Sequence, residues 1–144
     1  MPLTYIDSSS LLKTLWNEPE SAAVRTSVAA EHRLVVSALT ELEVEVQLRA
    51  RLLAGSTSKP QYRAYRKRLA SFRDVAPFEF ADVPGAVFRI ALEQHVSSPV
   101  HCRTLDRLHL AAMEHLGARR LMTNDAKQAT AARSLGYEVV VPGS

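Results

Sequence analysis

Residues 104–125 read TLDRLHLAAMEHLGARRLMTND, a helix that opens on one carboxylate and a buried strand that closes on another. Leu105, Leu108, Ala112 and Leu116 recur at helical spacing, so one stripe of the helix is expected to face a core. Thr104 is the expected N-cap, which places Asp106 in the first helical turn. Leu110 and Met113 follow it one and two turns on, so Asp106 heads the edge of an apolar stripe. Gly117 stops the helix where a left-handed residue is needed. Arg119 to Thr123 then reads as a short strand, ended by Asn124 and Asp125. A helix rising about 1.5 Å per residue crosses a small sheet once and returns its strand to the level where it began. Asp106 and Asp125 are therefore expected near each other, at one edge of the sheet.

Either carboxylate alone has a plain structural explanation. Asp in a first helical turn complements the helix dipole, and Asp after a strand caps the next helix. Chemistry requires that other carboxylates reach the same edge.

The rest of the chain alternates strands and helices. Leu3–Ile6 is a buried strand with Asp7 at its carboxyl end, and Ser8, Ser9 and Ser10 lead into a helix bearing Leu11, Leu12, Leu15 and Trp16. Asn17-Glu18-Pro19 breaks it, and Pro19 suits the first turn of a second helix reaching about Ala30. Leu34–Val36 is the next strand, after which Ser37 or Thr40 caps a helix running to about Ala54. A helix from Pro60 to Phe72 carries the apolar stripe Tyr62, Tyr65, Leu69 and Phe72. Val75–Phe80 reads as a strand, and Asp82-Val83-Pro84 opens a helix to about His95. After Asp125 come a helix over Ala126–Leu135 and a last strand over Glu138–Val141. This alternation implies an α/β fold with a parallel sheet covered on both faces. No repeat, low-complexity tract or linker divides residues 1–144, which are read as a single domain.

Composition excludes several classes. At 144 residues, 47% hydrophobic and 23% charged, the chain has the make-up of a soluble globular protein. No apolar run is long enough for a membrane span, and the early first strand leaves no room for a signal peptide. Cys102 is the only cysteine, which rules out an internal disulfide or a cysteine zinc site and fits a cytoplasmic location. The five histidines lack the HExxH spacing, and there is no P-loop or GxGxxG. His109 reads as a packed or polar-satisfied helix residue.

In a parallel sheet, ligands bind at the strands' carboxyl edge. Asp7 and Asp125 end strands there, and the helix after Val36 starts there with Glu41, Glu43 and Glu45 in its first turns. Asp106 joins them by the argument above. Carboxylates brought within a few ångströms repel, so some must take up protons or bind a cation. Mg²⁺ or Mn²⁺ is the natural partner, being hard and oxygen-seeking. With a net charge of +3 around such a cluster, the combination points to phosphodiester hydrolysis.

The stretches YIDSSSLLK, NEPESAAV, VVSALTELEVEVQLRA and TLDRLHLAAMEHLGARRLMTND occur in an order that resembles a PIN domain. Among PIN domains the chain is most similar to the VapC-type ribonuclease toxins of bacterial toxin–antitoxin pairs. The resemblance implies a three-layer α/β/α fold with a central parallel sheet of four to five strands. It also implies a metal-dependent, single-strand-specific RNase that hydrolyses RNA by metal-activated water, with Mg²⁺ or Mn²⁺ held by carboxylates. The first acid falls on Asp7, with Ser8 or Ser9 as polar support; the third on Asp106; the fourth on Asp125, with Thr123 alongside. The second falls on Glu43. Residue spacing alone leaves Glu41 open, and Thr40 with Glu43 has the spacing of a capping box. Glu45 is expected on the solvated surface. Implied partners are an RNA substrate and a cognate VapB-type antitoxin, in a homodimer or a toxin–antitoxin hetero-oligomer. The alternatives are a housekeeping PIN-domain RNase without an antitoxin, or a non-catalytic RNA- or protein-binding module.

No acid lies between Arg49 and Arg73. Lys59, Arg63, Arg66, Lys67 and Arg73 are expected on one side of a helix beside its aromatic stripe, as an RNA phosphate-tracking surface.

Overall fold

A computed structural model describes residues 2–144. Five strands, β1 (Leu3–Ile6), β2 (Arg33–Ser37), β3 (Phe78–Ala81), β4 (Arg120–Met122) and β5 (Glu138–Val140), form one sheet. Its order is β3-β2-β1-β4-β5, and every pairing is parallel. The helices are α1 (Ser8–Leu15), α2 (Ser21–Ala29), α3 (Ala38–Leu53), α4 (Lys59–Ser71), α5 (Ala86–Ser97), α6 (Thr104–Leu116) and α7 (Ala126–Ser134).

The strands' alternation sorts the helices into two layers. In β1, Tyr5 joins a core with α5, α6 and α7, while Ile6 joins a core with α1, α2, α3 and α4. Val35 and Leu121 repeat the first direction, and Val36 and Met122 the second. The result is the three-layer α/β/α architecture expected from the sequence, with the sheet at the upper end of the expected strand count.

Several local expectations are corrected. α6 begins at Thr104, so Arg103 is the N-cap position and no side chain caps it. Leu105 is 49% exposed, and Arg107–Met113 are all buried, because α6 lies between the sheet and α5 instead of presenting one stripe. Pro19 precedes α2, whose N-cap is Glu20. Ser37 caps α3 by accepting from the Thr40 N–H, and this excludes the Thr40–Glu43 capping box. The third strand starts at Phe78, since Pro77 has no N–H for a ladder and Phe72–Asp74 form a 3₁₀ turn. Gly117 ends α6 at φ 76°, a left-handed conformation that side chains resist.

Candidate active site

β1 is the topological switch point of the sheet: the chain builds β2 and β3 to one side of it, then crosses to build β4 and β5 on the other. The crevice at the carboxyl ends of β1 and β4 is where such sheets bind ligands. The register pairs Ile6 with Met122, so Asp7 and Thr123 leave their strands side by side.

Asp7 caps α1 in an extended conformation, accepting the Ser10 N–H on Oδ1. Ser9 Oγ donates to the same oxygen at 2.6 Å, and Thr123 Oγ1 donates to Oδ2. Asp7 is only 5% exposed. Burial therefore pushes its carboxyl above the usual carboxylate range, opposed by the hydrogen bonds from Ser9 and Thr123. Thr123 Oγ1 also accepts the Asp125 N–H at 3.0 Å. Asn124 accepts from Ser10 Oγ at 2.7 Å and gives its N–H to Ser9 Oγ at 2.9 Å, which ties the two strand ends together. Ser9 and Thr123 thus touch Asp7, whereas Ser8 turns to Glu43 Oε1 at 3.4 Å.

Glu43 and Glu41 part company on α3. Glu43 reaches across to Ser8 and to His109 Nε2, while Glu41 is ion-paired with Arg73 at 2.7 Å. Asp106 is at the start of α6, with its carboxylate 3.2 Å from Arg103 Nε. Its backbone carbonyl accepts from Gln128 Nε2 at 3.0 Å, which ties the start of α6 to the first turn of α7. Asp125 caps α7, accepting from the N–H groups of Lys127 and Gln128.

The four acids thus share one edge without sharing one focus. Among the described residues, no three His, Cys, Asp or Glu side chains are grouped closely enough to hold one metal ion. Each carboxylate is instead satisfied by local donors. The donor set itself, hard carboxylate oxygens flanked by serine and threonine hydroxyls, has the chemistry that Mg²⁺ and Mn²⁺ take. Asp7 in particular is a buried acid whose hydrogen-bond donors are neutral groups.

The basic segment is less free than its sequence suggests. Arg66 is ion-paired with Glu45 at 2.8 Å, and Arg73 lies beyond α4 in the 3₁₀ turn, stacked on Phe80 and paired with Glu41. Glu45 is therefore a partner of α4 and not merely a solvated acid. Lys59, Arg63 and Lys67 remain on the exposed side of α4, and the expected stripe holds: Leu69 and Phe72 are buried, with Tyr62 and Tyr65 packed beside them.

His109 is packed and polar-satisfied as the sequence led one to expect, while its contact with Glu43 was not anticipated. It is 2% exposed, and both ring nitrogens are engaged, Nδ1 with the Tyr5 hydroxyl at 2.6 Å and Nε2 with Glu43. Its position one turn after Asp106, on the same helix face, was the available signal. Tyr5 also meets Ser37 Oγ at 2.6 Å, and burial holds its phenol protonated well above the usual range.

Comparison with known proteins gives a consistent picture. Residues 4–134 match the family model of the PIN domain. The chain is 35% identical over 144 residues to Ribonuclease VapC46 of Mycobacterium tuberculosis, with 99% of each chain covered. In fold it is similar to VapC20 of Mycobacterium tuberculosis, a sarcin-ricin loop cleaving toxin (TM-score 0.72, 15% identity, 96% of this chain and 99% of that one). It is also similar to VapBC2 from Rickettsia felis bound to a DNA fragment from their promoter (TM-score 0.68, 12% identity, 96% and 97%).

Proposed function

Because the chain belongs to the PIN-domain family, we propose that it is a divalent-metal-dependent, single-strand-specific endoribonuclease and the toxin of a type II toxin–antitoxin pair. The observation that carries this reading is Asp7: a buried carboxyl at the switch point of a parallel sheet, with Glu43, Asp106 and Asp125 on the same edge. The hydrogen-bond donors to Asp7 are all neutral, so a bound cation would further offset the cost of burying its charge.

Asp7, Glu43, Asp106 and Asp125 are the residues that would hold Mg²⁺ or Mn²⁺. Such an ion would supply a water of lowered pKa and charge stabilisation at the phosphate. The chain's own contribution is orientation. Ser9 and Thr123 hold the two oxygens of Asp7, and Thr123 fixes the turn into Asp125 through the Asp125 N–H. Asp106 has only Arg103, 77% exposed, to leave behind, and an ion pair that exposed holds it weakly. Affinity for the RNA is assigned to α4, where Lys59, Arg63 and Lys67 face solvent with Arg66 beside them. The relatives VapC46 and VapC20 are named as a ribonuclease and a cleaving toxin, and VapBC2 as a pair on promoter DNA. They support an RNA substrate and a VapB-type antitoxin partner here.

The purified chain should cleave single-stranded RNA in Mg²⁺ or Mn²⁺, leave duplex RNA intact and stop in EDTA. Cleavage undiminished after thorough chelation would overturn the reading.

A further inference from the structure

We propose that His109 is a positioning residue for Glu43, held in one tautomer by Tyr5, and that this pairing sets the affinity of the acidic edge for its metal. The inference rests on the reading of Glu43 as a metal-holding acid.

The geometry has a direction. Thr40 N–H donates to Ser37 Oγ at 3.2 Å, and Ser37 Oγ lies 2.6 Å from the Tyr5 hydroxyl. That hydroxyl lies 2.6 Å from His109 Nδ1, and His109 Nε2 contacts Glu43 Oε1. Thr40 Oγ1 donates to the Ile6 carbonyl at 3.1 Å, and Ser37 Oγ has two acceptors in reach, the Tyr5 oxygen at 2.6 Å and Thr40 Oγ1 at 3.3 Å, of which Tyr5 is the nearer. A carboxylate only accepts, so Nε2 carries the proton and Nδ1 accepts from Tyr5. Every proton then points the same way, from the first turn of α3, through β1 and α6, back to Glu43 on α3.

Glu43 needs such a brace. It sits one turn inside a helix on a flexible side chain, and its second donor, Ser8, stands at 3.4 Å. The imidazole, packed edge-on against Tyr5 with centroids 5.7 Å apart and 2% exposed, cannot follow solvent motion. Side chains that orient a metal-holding acid in this way typically tune metal affinity or activity about 10–100-fold when removed. A plain packing role for His109 would be met by any residue of similar volume. The observed pairing of both ring nitrogens is not.

The test measures Mn²⁺ binding to the full chain by calorimetry, alongside the Mn²⁺ concentration for half-maximal RNA cleavage. His109→Leu should weaken Mn²⁺ binding about 10–100-fold. His109→Gln, whose amide N–H reaches the depth of Nε2, should recover most of that loss. Tyr5→Phe, which deletes one hydroxyl and keeps the ring, should shift binding in the same direction as His109→Leu. Mn²⁺ binding within twofold of wild type in both folded His109→Leu and Tyr5→Phe overturns the proposal, as does a Gln variant no better than Leu. Should His109→Leu fail to fold, the Gln and Phe variants decide the matter alone. Asp7→Asn, run in parallel, separates the two layers of argument. If it leaves metal binding and cleavage intact, the nuclease reading of the edge is what fails.

Discussion

Asp7 does two jobs that conflict. As the cap of α1 it satisfies the Ser10 N–H, and as a buried acid it resists ionisation. Asparagine caps about as well as aspartate, so Asp7→Asn removes the second job and spares the first. Because burial raises the Asp7 carboxyl, the folded chain binds that proton more tightly than the unfolded chain. The stability tied to this group is thus present below the unfolded value of about 3.9 and is lost as pH rises through the raised one. In EDTA at pH 7, Asp7→Asn should therefore melt no lower than wild type, with the difference shrinking as the pH falls towards 4. Cleavage should vanish. Saturating Mg²⁺ should raise the wild-type melting temperature, by about 2.7 kcal/mol of stabilisation at a hundredfold excess over Kd, and raise that of Asp7→Asn much less. A variant that melts clearly lower and still cleaves would reduce Asp7 to an ordinary cap.

At the scale of elements, α3 and α4 form a unit in which charge is partly spent internally. Arg66 and Arg73 bind Glu45 and Glu41, and both pairs are exposed enough for salt to screen them. Lys59, Arg63 and Lys67 are the cations on α4 better placed for phosphate. Binding of single-stranded RNA to cleavage-dead Asp7→Asn protein should fall with salt by about 0.7 log units per log unit for each phosphate contact. Arg63→Ala with Lys67→Ala should flatten that slope by about 1.4 with little change in melting temperature, since both side chains project into solvent. An unchanged slope would return this face to packing or to the antitoxin. Arg66→Ala is a poorer probe, because it also releases Glu45.

For the whole molecule, a net charge of +3 favours association with a polyanion such as RNA. Expression of the chain alone should arrest bacterial growth. Asp7→Asn should relieve the arrest at equal protein levels, and so should co-expression of the cognate antitoxin. Growth unaffected by an enzyme that is active in vitro would favour a housekeeping RNase.

The order of strands and helices and several helix ends were legible in the chain because each is decided within a few residues, whereas the cap of α6 and the face it buries were not. Asp7 and Asp125 head helices since their side chains reach N–H groups two or three residues on, and Gly117 ends α6 since the backbone there turns left-handed. Alternation of strands with helices along the chain was enough to imply helices on both faces of a parallel sheet, and Tyr5 with Ile6 and Val35 with Val36 do face opposite cores. Partner choice was not legible. Thr123 binds Asp7 only because β1 pairs with β4 in a register that sets Ile6 against Met122. Glu43 meets His109 of α6, which belongs to the opposite layer, while Glu41 meets Arg73 of the turn after α4 in its own layer. Spacing along one helix says which residues share a face, but which neighbour that face meets depends on the sheet order. Only the tertiary structure decided that, since long-range pairing is selected by burial and desolvation across the whole fold and leaves no trace in local periodicity.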